Sequence, residues 1–303
     1  MALLRIVPDD TNIRFVRVRG IAFLFTFILT LASVILLGVK GLNLGVDFVG
    51  GLMVEAHFDK PVELDALRRD INQLNIGEAS LQQIGNNHNV SIRLPLPPGD
   101  ETASQRVVKV VQTALKSQFP DVRFERVDTV SGKVSGELMR SGIIAILLAI
   151  AGIVLFTWVR FEWQFALSTF VSVAHDVLVI LGFFALTRME FDLNIVAAIL
   201  TIAGYSINDK IVIDDRIREN LRKFRKMDIA SLIDLSVNET LPRTVMTSLS
   251  MILVLAILLV FGGDAVRSFT AAMLLGVIVG TYSSIYVSSS LLIFLKIRPK
   301  IQK

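Results

Sequence analysis

Hydrophobic side chains make up 53% of the 303 residues and charged ones only 19%, and the mean hydropathy of +0.62 excludes an ordinary soluble domain. No cysteine is present, which excludes a disulfide framework, a thiolate metal site and a cysteine nucleophile. The net charge of +4 follows from where Lys and Arg sit around apolar segments, so it implies no nucleic-acid partner.

The chain opens with a cytoplasmic segment, 1–19, carrying Arg5, Arg14, Arg17 and Arg19. The charge-free run Ile21–Val39 follows, long enough to cross about 30 Å of hydrocarbon and too long for a signal-peptide core. It reads as a retained anchor, with the first span over 20–39. Gly41, Gly45 and then Asp47-Phe48-Val49-Gly50-Gly51 lead out of it. The glycine pair is either a plain tight turn or a hinge on which the next domain swings.

Residues 40–136 have the pattern of a small soluble fold. Leu52–Phe58 alternates as a half-buried strand, and Val62–Leu74 has Leu64, Leu67, Ile71 and Leu74 at helical spacing. Leu81–Ile84 and Val90–Leu94 flank a turn at Gly85-Asn86-Asn87-His88, which signals a hairpin. Glu101–Phe119 is a second amphipathic helix and Val122–Val130 a closing strand. The order β-α-β-β-α-β predicts a ferredoxin-like α+β domain. His57 and His88 have no metal-ligand spacing around them, and no catalytic constellation is visible, so the domain reads as binding or mechanical rather than enzymatic.

Five further spans are predicted: Ser141–Val159, Gln164–Leu186, Leu193–Ile213, Leu249–Phe261 with its flanks, and Ser268–Leu295. They fall into a block of spans two to four over 137–215, a cytoplasmic amphipathic connection over 216–242, spans five and six over 243–296, and a cytoplasmic tail, 297–303. The fold class is thus an α-helical polytopic membrane protein with one α+β domain between its first two helices. Lys and Arg orient it. Arg160, the run from Lys210 to Lys226, Arg243, Lys296, Arg298, Lys300 and Lys303 fall on the side of the N-terminus, against Arg140, Arg188 and Arg267 on the other. Both termini are therefore expected in the cytoplasm, and 40–136 outside, on the other face of the membrane.

Ionisable residues inside spans are costly and mark functional candidates. His175 and Asp176 lie about 20 Å into the third span, and Asp209 about 25 Å into the fourth, nearer the cytoplasmic side. Arg243 opens the fifth span from that side, at a depth matching Asp209. The pair is either a proton-carrying site or a fixed ion pair joining two helices. His175 and Asp176 either extend a relay or pack. Lys210 is expected to face away from Asp209, bridge to Asp214 at i+4 and snorkel outward. Gly276, Gly280, Ser284 and Ser288 form a stripe of small residues for close helix packing, within the subunit or at a subunit interface.

Several motifs, in this order, resemble the SecF half of the SecD/SecF family of the resistance-nodulation-division superfamily. They are Gly45-Val46-Asp47-Phe48-Val49-Gly50-Gly51, Phe161-Glu162-Trp163, Ala174-His175-Asp176, Gly204-Tyr205-Ser206-Ile207-Asn208-Asp209 and Asp215-Arg216-Ile217-Arg218-Glu219-Asn220. Thr240-Leu241, Arg243-Thr244 and Ser283-Ser284-Ile285-Tyr286 complete the set. The resemblance implies half of a two-part transporter, driven by the proton gradient without a cofactor or metal, that assists late steps of Sec protein export. It implies an obligate SecD-like partner, the SecYEG channel, YajC and YidC, and contact with the translocating polypeptide and membrane lipids. It also implies that Asp209 passes protons with Arg243 as its partner, that His175 and Asp176 belong to a family motif, and that Gly50 and Gly51 match the glycine-rich exit from the first span. Lys210 stands where the family usually has a small hydroxyl residue, and Asp214 where it has an apolar or small one. A proton-coupled exporter of small molecules or lipids and a non-transporting assembly subunit are the alternative readings.

Overall fold

A computed structural model of the chain describes residues 8, 11–84, 88–97, 101–263 and 266–297. Arg5, the turn at 85–87 and the tail residues Arg298, Lys300 and Lys303 lie outside them. The chain divides into two compact units, Met1–Leu42 with Ile144–Arg188 and Asn194–Lys303, and Asn43–Ile143 with Met189–Leu193.

The first unit is a helical bundle. Its spans are α1 (Arg19–Lys40), α5 (Gly132–Arg160), α6 (Trp163–Thr187), α7 (Leu193–Lys223), α8 (Ile229–Phe261) and a sixth built from α9 (Arg267–Tyr282), a π-helical turn (Ser283–Ser288) and α10 (Ser289–Phe294). All six are long and apolar enough to cross a membrane. In α6, α7 and the sixth span 56–61% of the most apolar window is buried within the protein, against 11–17% in α1, α5 and α8. Three spans therefore make the interior, and three turn apolar side chains such as Leu24, Leu148 and Val254 outward.

The connection expected over 216–242 takes a different form. No separate surface helix exists there. Arg216–Lys223 is the end of α7, and α8 begins at Ile229, capped by Asp228, whose Oδ2 accepts from Ala230 N and Ser231 N at 3.1 and 3.3 Å. Leu232, Ile233 and Val237 do have a helical apolar face, but it packs against Ile217, Leu221 and Phe165 in one core cluster instead of facing lipid. Glu239 stitches the two helices together, accepting from Arg216 Nε and from Asn220 Nδ2, both at 2.7 Å. Pro242 consequently sits inside α8, not in its first turn. There the ring leaves the Asn238 carbonyl, four residues back, without its usual helical donor.

The second unit carries a four-stranded antiparallel sheet in the order β3 (Ser80–Gln83), β4 (Asn89–Leu94), β2 (Gly51–His57), β5 (Arg123–Val130). Helices α3 (Leu64–Asn72) and α4 (Glu101–Gln118) pack Leu67, Ile71, Val111 and Leu115 onto Leu52, Val54 and Ala56. This strand order with two crossover helices is the ferredoxin-like arrangement. The strand expected to be half buried is covered on both faces, since Met53 is as buried as Val54. A parallel ribbon of β1 (Asn43–Leu44) and β6 (Glu190–Phe191), with the one-turn helix α2 (Val46–Val49), accompanies the sheet. Arg93 of β4 donates to the Leu44 carbonyl at 2.8 Å and pairs with Glu190 at 3.0 Å. Beside it, Arg126 Nε pairs with Asp128 at 2.6 Å, and its Nη1 lies 4.0 Å from Glu55.

Burial holds the Glu55 and Glu190 carboxyls above the ordinary value of 4.5, opposed mainly by Arg126 for the first and Arg93 for the second. The folded unit therefore binds these protons more readily than the unfolded chain. Their contribution to stability is present in full below pH 4.5 and is lost as pH rises through the elevated values. The denaturant midpoint for hydrogen-exchange protection of the 51–57 peptide should fall over that window, and Glu190→Gln should flatten the dependence.

Candidate functional site

The interior spans hold their polar residues in two rows. On α6, Ser168, Ser172 and Asp176 are spaced i, i+4, i+8; on the antiparallel α7, Ser206, Lys210 and Asp214 repeat that spacing, with Asp209 beside them. Residues four apart lie on one helix face, so the rows can meet. They do so at Asp176, whose Oδ2 accepts from Ser206 Oγ at 2.7 Å and from Lys210 Nζ at 3.3 Å. Lys210 Nζ also donates to Ser206 Oγ at 2.5 Å.

Lys210 thus neither snorkels nor bridges to Asp214. It is 1% exposed and pairs across to the third span. The reason is the cost of burying an ammonium, which only an adjacent carboxylate offsets, and Asp176 stands directly opposite. Asp214, 2% exposed, keeps Oδ2 without a hydrogen-bond partner. Asp209 is likewise buried with Oδ2 unpartnered, and no ion pair within 4.0 Å joins it to Arg243. Arg243 is exposed and lines a groove of about 950 Å³ together with Arg160, Asp215, Arg216, Arg222 and Glu239. Lys210 and Arg243 are nonetheless the two cations whose fields reach Asp209. Depth along the helices was readable from sequence, but the direction in which Arg243 points was not.

His175 is held from the first span. Tyr282 donates to the Ala22 carbonyl at 2.9 Å, which leaves its oxygen to accept from Thr26 at 3.2 Å. Thr30 donates to the Thr26 carbonyl at 2.8 Å, so the 2.7 Å contact between Thr30 Oγ1 and His175 Nδ1 has the ring N–H as donor. This places a proton on Nδ1 and leaves Nε2 buried without a partner. The sequence signal was Thr26, Thr30 and Ser33 recurring on one face of an otherwise apolar span.

The small-residue stripe serves packing inside the chain. A Cβ on Gly276 would stand 2.5 Å from Ile202, and one on Gly280 would stand 3.1 Å from Ser206. Ser284 Oγ reaches the Ser206 carbonyl, and Ser288 Oγ donates to Ser168 Oγ, each at 3.4 Å. The stripe therefore presses the sixth span against the rows that carry the charges.

In the second unit the glycines are packed as well as flexible. Gly50 and Gly51 have φ of +78° and +125°, and a Cβ on Gly51 would lie 2.8 Å from the Leu94 carbonyl oxygen. Asp47 Oδ2 accepts from Leu193 N at 3.0 Å, an acidic group on the first amide of a helix. His57 and His88, isolated in sequence, stack with ring centroids 6.1 Å apart. Among the described residues no group of three or more His, Cys, Asp or Glu could hold a metal ion.

Two family descriptions match this chain: "Protein export membrane protein SecD/SecF, C-terminal" over residues 110–298, and "SecD/SecF GG Motif" over 35–62. The chain belongs to the SecD/SecF family. Among its relatives, the protein translocase subunit SecF of Rickettsia bellii is 39% identical over 290 residues, 95% of each chain. That of Cereibacter sphaeroides is 40% identical over 298 residues, covering 96% of this chain and 92% of its own. The crystal structure of SecDF from Thermus thermophilus, described as a translocon-associated membrane protein, superposes with a TM-score of 0.87 at 34% identity. The match covers 96% of this chain but only 40% of that one. A second SecDF structure, in a form called super-membrane-facing, gives a TM-score of 0.69 over 95% of this chain.

Two outcomes check this site. Lys210→Met should strand the Asp176 carboxylate and lower stability by about 3–5 kcal/mol, with Lys210→Met/Asp176→Asn recovering most of it in thermal unfolding of the solubilised protein. Gly276→Val should lower the melting temperature through its clash with Ile202, and Ile202→Ala should restore it.

Proposed function

We propose that this chain is the SecF-type subunit of the Sec protein-export machinery, a transport subunit and not an enzyme. With a SecD-like partner it uses the proton gradient to promote late steps of polypeptide translocation at the SecYEG channel, with YajC and YidC as further contacts. The relatives that match over nearly their whole length are named protein translocase subunits, and the SecDF chain that matches is about two and a half times as long. A second half of the SecD kind accounts for the difference. The chain lies in a bacterial inner membrane, with both termini cytoplasmic and residues 40–136 periplasmic, because Lys and Arg crowd the loops on one side.

The observation that carries proton coupling is a charge imbalance. Asp176, Asp209 and Asp214 are buried in the interior spans with Lys210 as the one buried cation among the described residues. Fully ionised, they would place two uncompensated negative charges in a dry site, at a cost of several kcal/mol each. Protons are the mobile counter-charges, and Asp209, within the field of Arg243, exchanges one as that arginine approaches or withdraws. Each proton crossing the membrane brings about 2.3 kcal/mol per 100 mV, enough to bias a conformational step. No cofactor is needed.

Proton-gradient-stimulated export into inverted membrane vesicles tests this. Asp209→Asn should abolish the stimulation while leaving the complex with the SecD-like subunit intact. Undiminished stimulation in an intact Asp209→Asn complex would overturn the coupling.

A further inference from the structure

Buried hydroxyls in membrane helices ordinarily donate to a carbonyl one turn back, as Thr157, Thr270 and Ser284 do here. Three in the interior spans have no partner: Thr169 Oγ1 and Ser172 Oγ on α6, and Ser290 Oγ on α10. Three carboxylate oxygens of these spans share that condition, Asp176 Oδ1, Asp209 Oδ2 and Asp214 Oδ2. Every one of these residues is at most 4% exposed. Isolated buried polar atoms without partners are rare, and a group of them needs an explanation.

Their places in the fold bring Thr169, Ser172, Asp176 and Asp214 into one layer. Asp176 bonds Ser206 and Lys210, and α6 and α7 run antiparallel. One turn back on α6, Ser172 is therefore level with Lys210, and Ser168 and Thr169 are level with Asp214. The Ser288 to Ser168 contact at 3.4 Å draws the sixth span into the same layer. The π-helical turn Ser283–Ser288 lies here too, a distortion frequent at functional sites. At its far end the layer comes to within one residue along α7 of the groove, which Val212 and Asp215 line while Asp214 lies buried behind it.

We propose that Asp214 is a second proton-accepting carboxyl, reached from the side of this groove and joined to Asp176 by waters held on Thr169 and Ser172. The inference rests on the proton-coupled reading above. A proton from groove water bonds to Asp214 Oδ2. It then passes by hops in which each new O–H bond forms as the next one breaks, and it ends on Asp176 Oδ1, with Asp214 again a carboxylate. Such waters need two to four polar partners each, and the unpartnered hydroxyl and carboxylate oxygens of the layer are the groups that would supply them. Lys210 lies four residues from Asp214 and is bonded to Asp176, so a proton on either carboxyl leaves the other to balance the ammonium. The remaining charged or titratable groups around the layer are His175 on α6, and Asp209 and Asp215 on α7, the last paired with Arg160 of α5 at 3.0 Å.

The complex with the SecD-like subunit, in inverted vesicles, tests it. Thr169→Val/Ser172→Ala removes two hydroxyls at nearly constant volume, and Asp214→Asn removes the entry carboxylate. Each should lower proton-gradient-stimulated export about tenfold, with assembly and melting temperature unchanged. Stimulation at the parental rate in both variants, with Asp209→Asn inactive, overturns the Asp214 route and leaves proton coupling standing. A loss that tracks a fall in melting temperature also overturns it, since idle packing would behave so. Full stimulation in Asp209→Asn as well would instead sink the underlying coupling.

Discussion

The ion pair between Lys210 and Asp176 is the constraint around which the membrane unit is arranged. An ammonium cannot remain in a dry helix interface without a carboxylate at contact distance, so α6 and α7 must stay in register at that level. Ser206 shares the interaction and therefore lies between the helices. Close approach of the sixth span follows, because only glycine and serine at 276, 280, 284 and 288 leave room beside Ile202 and Ser206. Lys210 serves one carboxylate at contact distance, that of Asp176, while Asp209 and Asp214 each keep a buried oxygen without a hydrogen-bond partner.

The first span contributes more than an anchor. Thr26 and Thr30 interlock with Tyr282 and His175, so the imidazole is oriented by a helix that is otherwise mostly lipid-facing. Gly182 completes the fit, since a Cβ there would collide with Ser33. The second unit uses different physics. Its sheet is built on apolar burial on the helix-covered face, while the other face depends on two arginines whose carboxylate partners are partly buried.

Hydropathy, helical spacing and strand alternation made the six spans and the β-α-β-β-α-β order legible, because both are written in residue periodicity. The positions of His175, Asp176 and Asp209 within spans were legible for the same reason. What sequence left open was azimuth. Lys210 follows Asp209 by one residue, and spacing along its own helix suggested Asp214 as partner; only the neighbouring helix reveals Asp176. Arg243 shares the depth of Asp209 but points elsewhere. The 216–242 segment misled because an apolar face on a basic helix looks alike whether it meets lipid or another helix, and only the packing with Phe165, Ile217 and Leu221 distinguishes them.

That last segment has a mechanical consequence. A helix of 33 residues is about 50 Å long, so α8 overshoots a 30 Å hydrocarbon layer by about 20 Å. Helix α7, with 31 residues, is nearly as long. The last turns of α7 and the first turns of α8 are clamped to each other by Arg216, Asn220, Ser236 and Glu239. The overhang is thus a stiff lever continuous with the helix that carries Asp209 and Lys210, and a tilt of a few degrees at the buried charges becomes ångströms of travel at its tip.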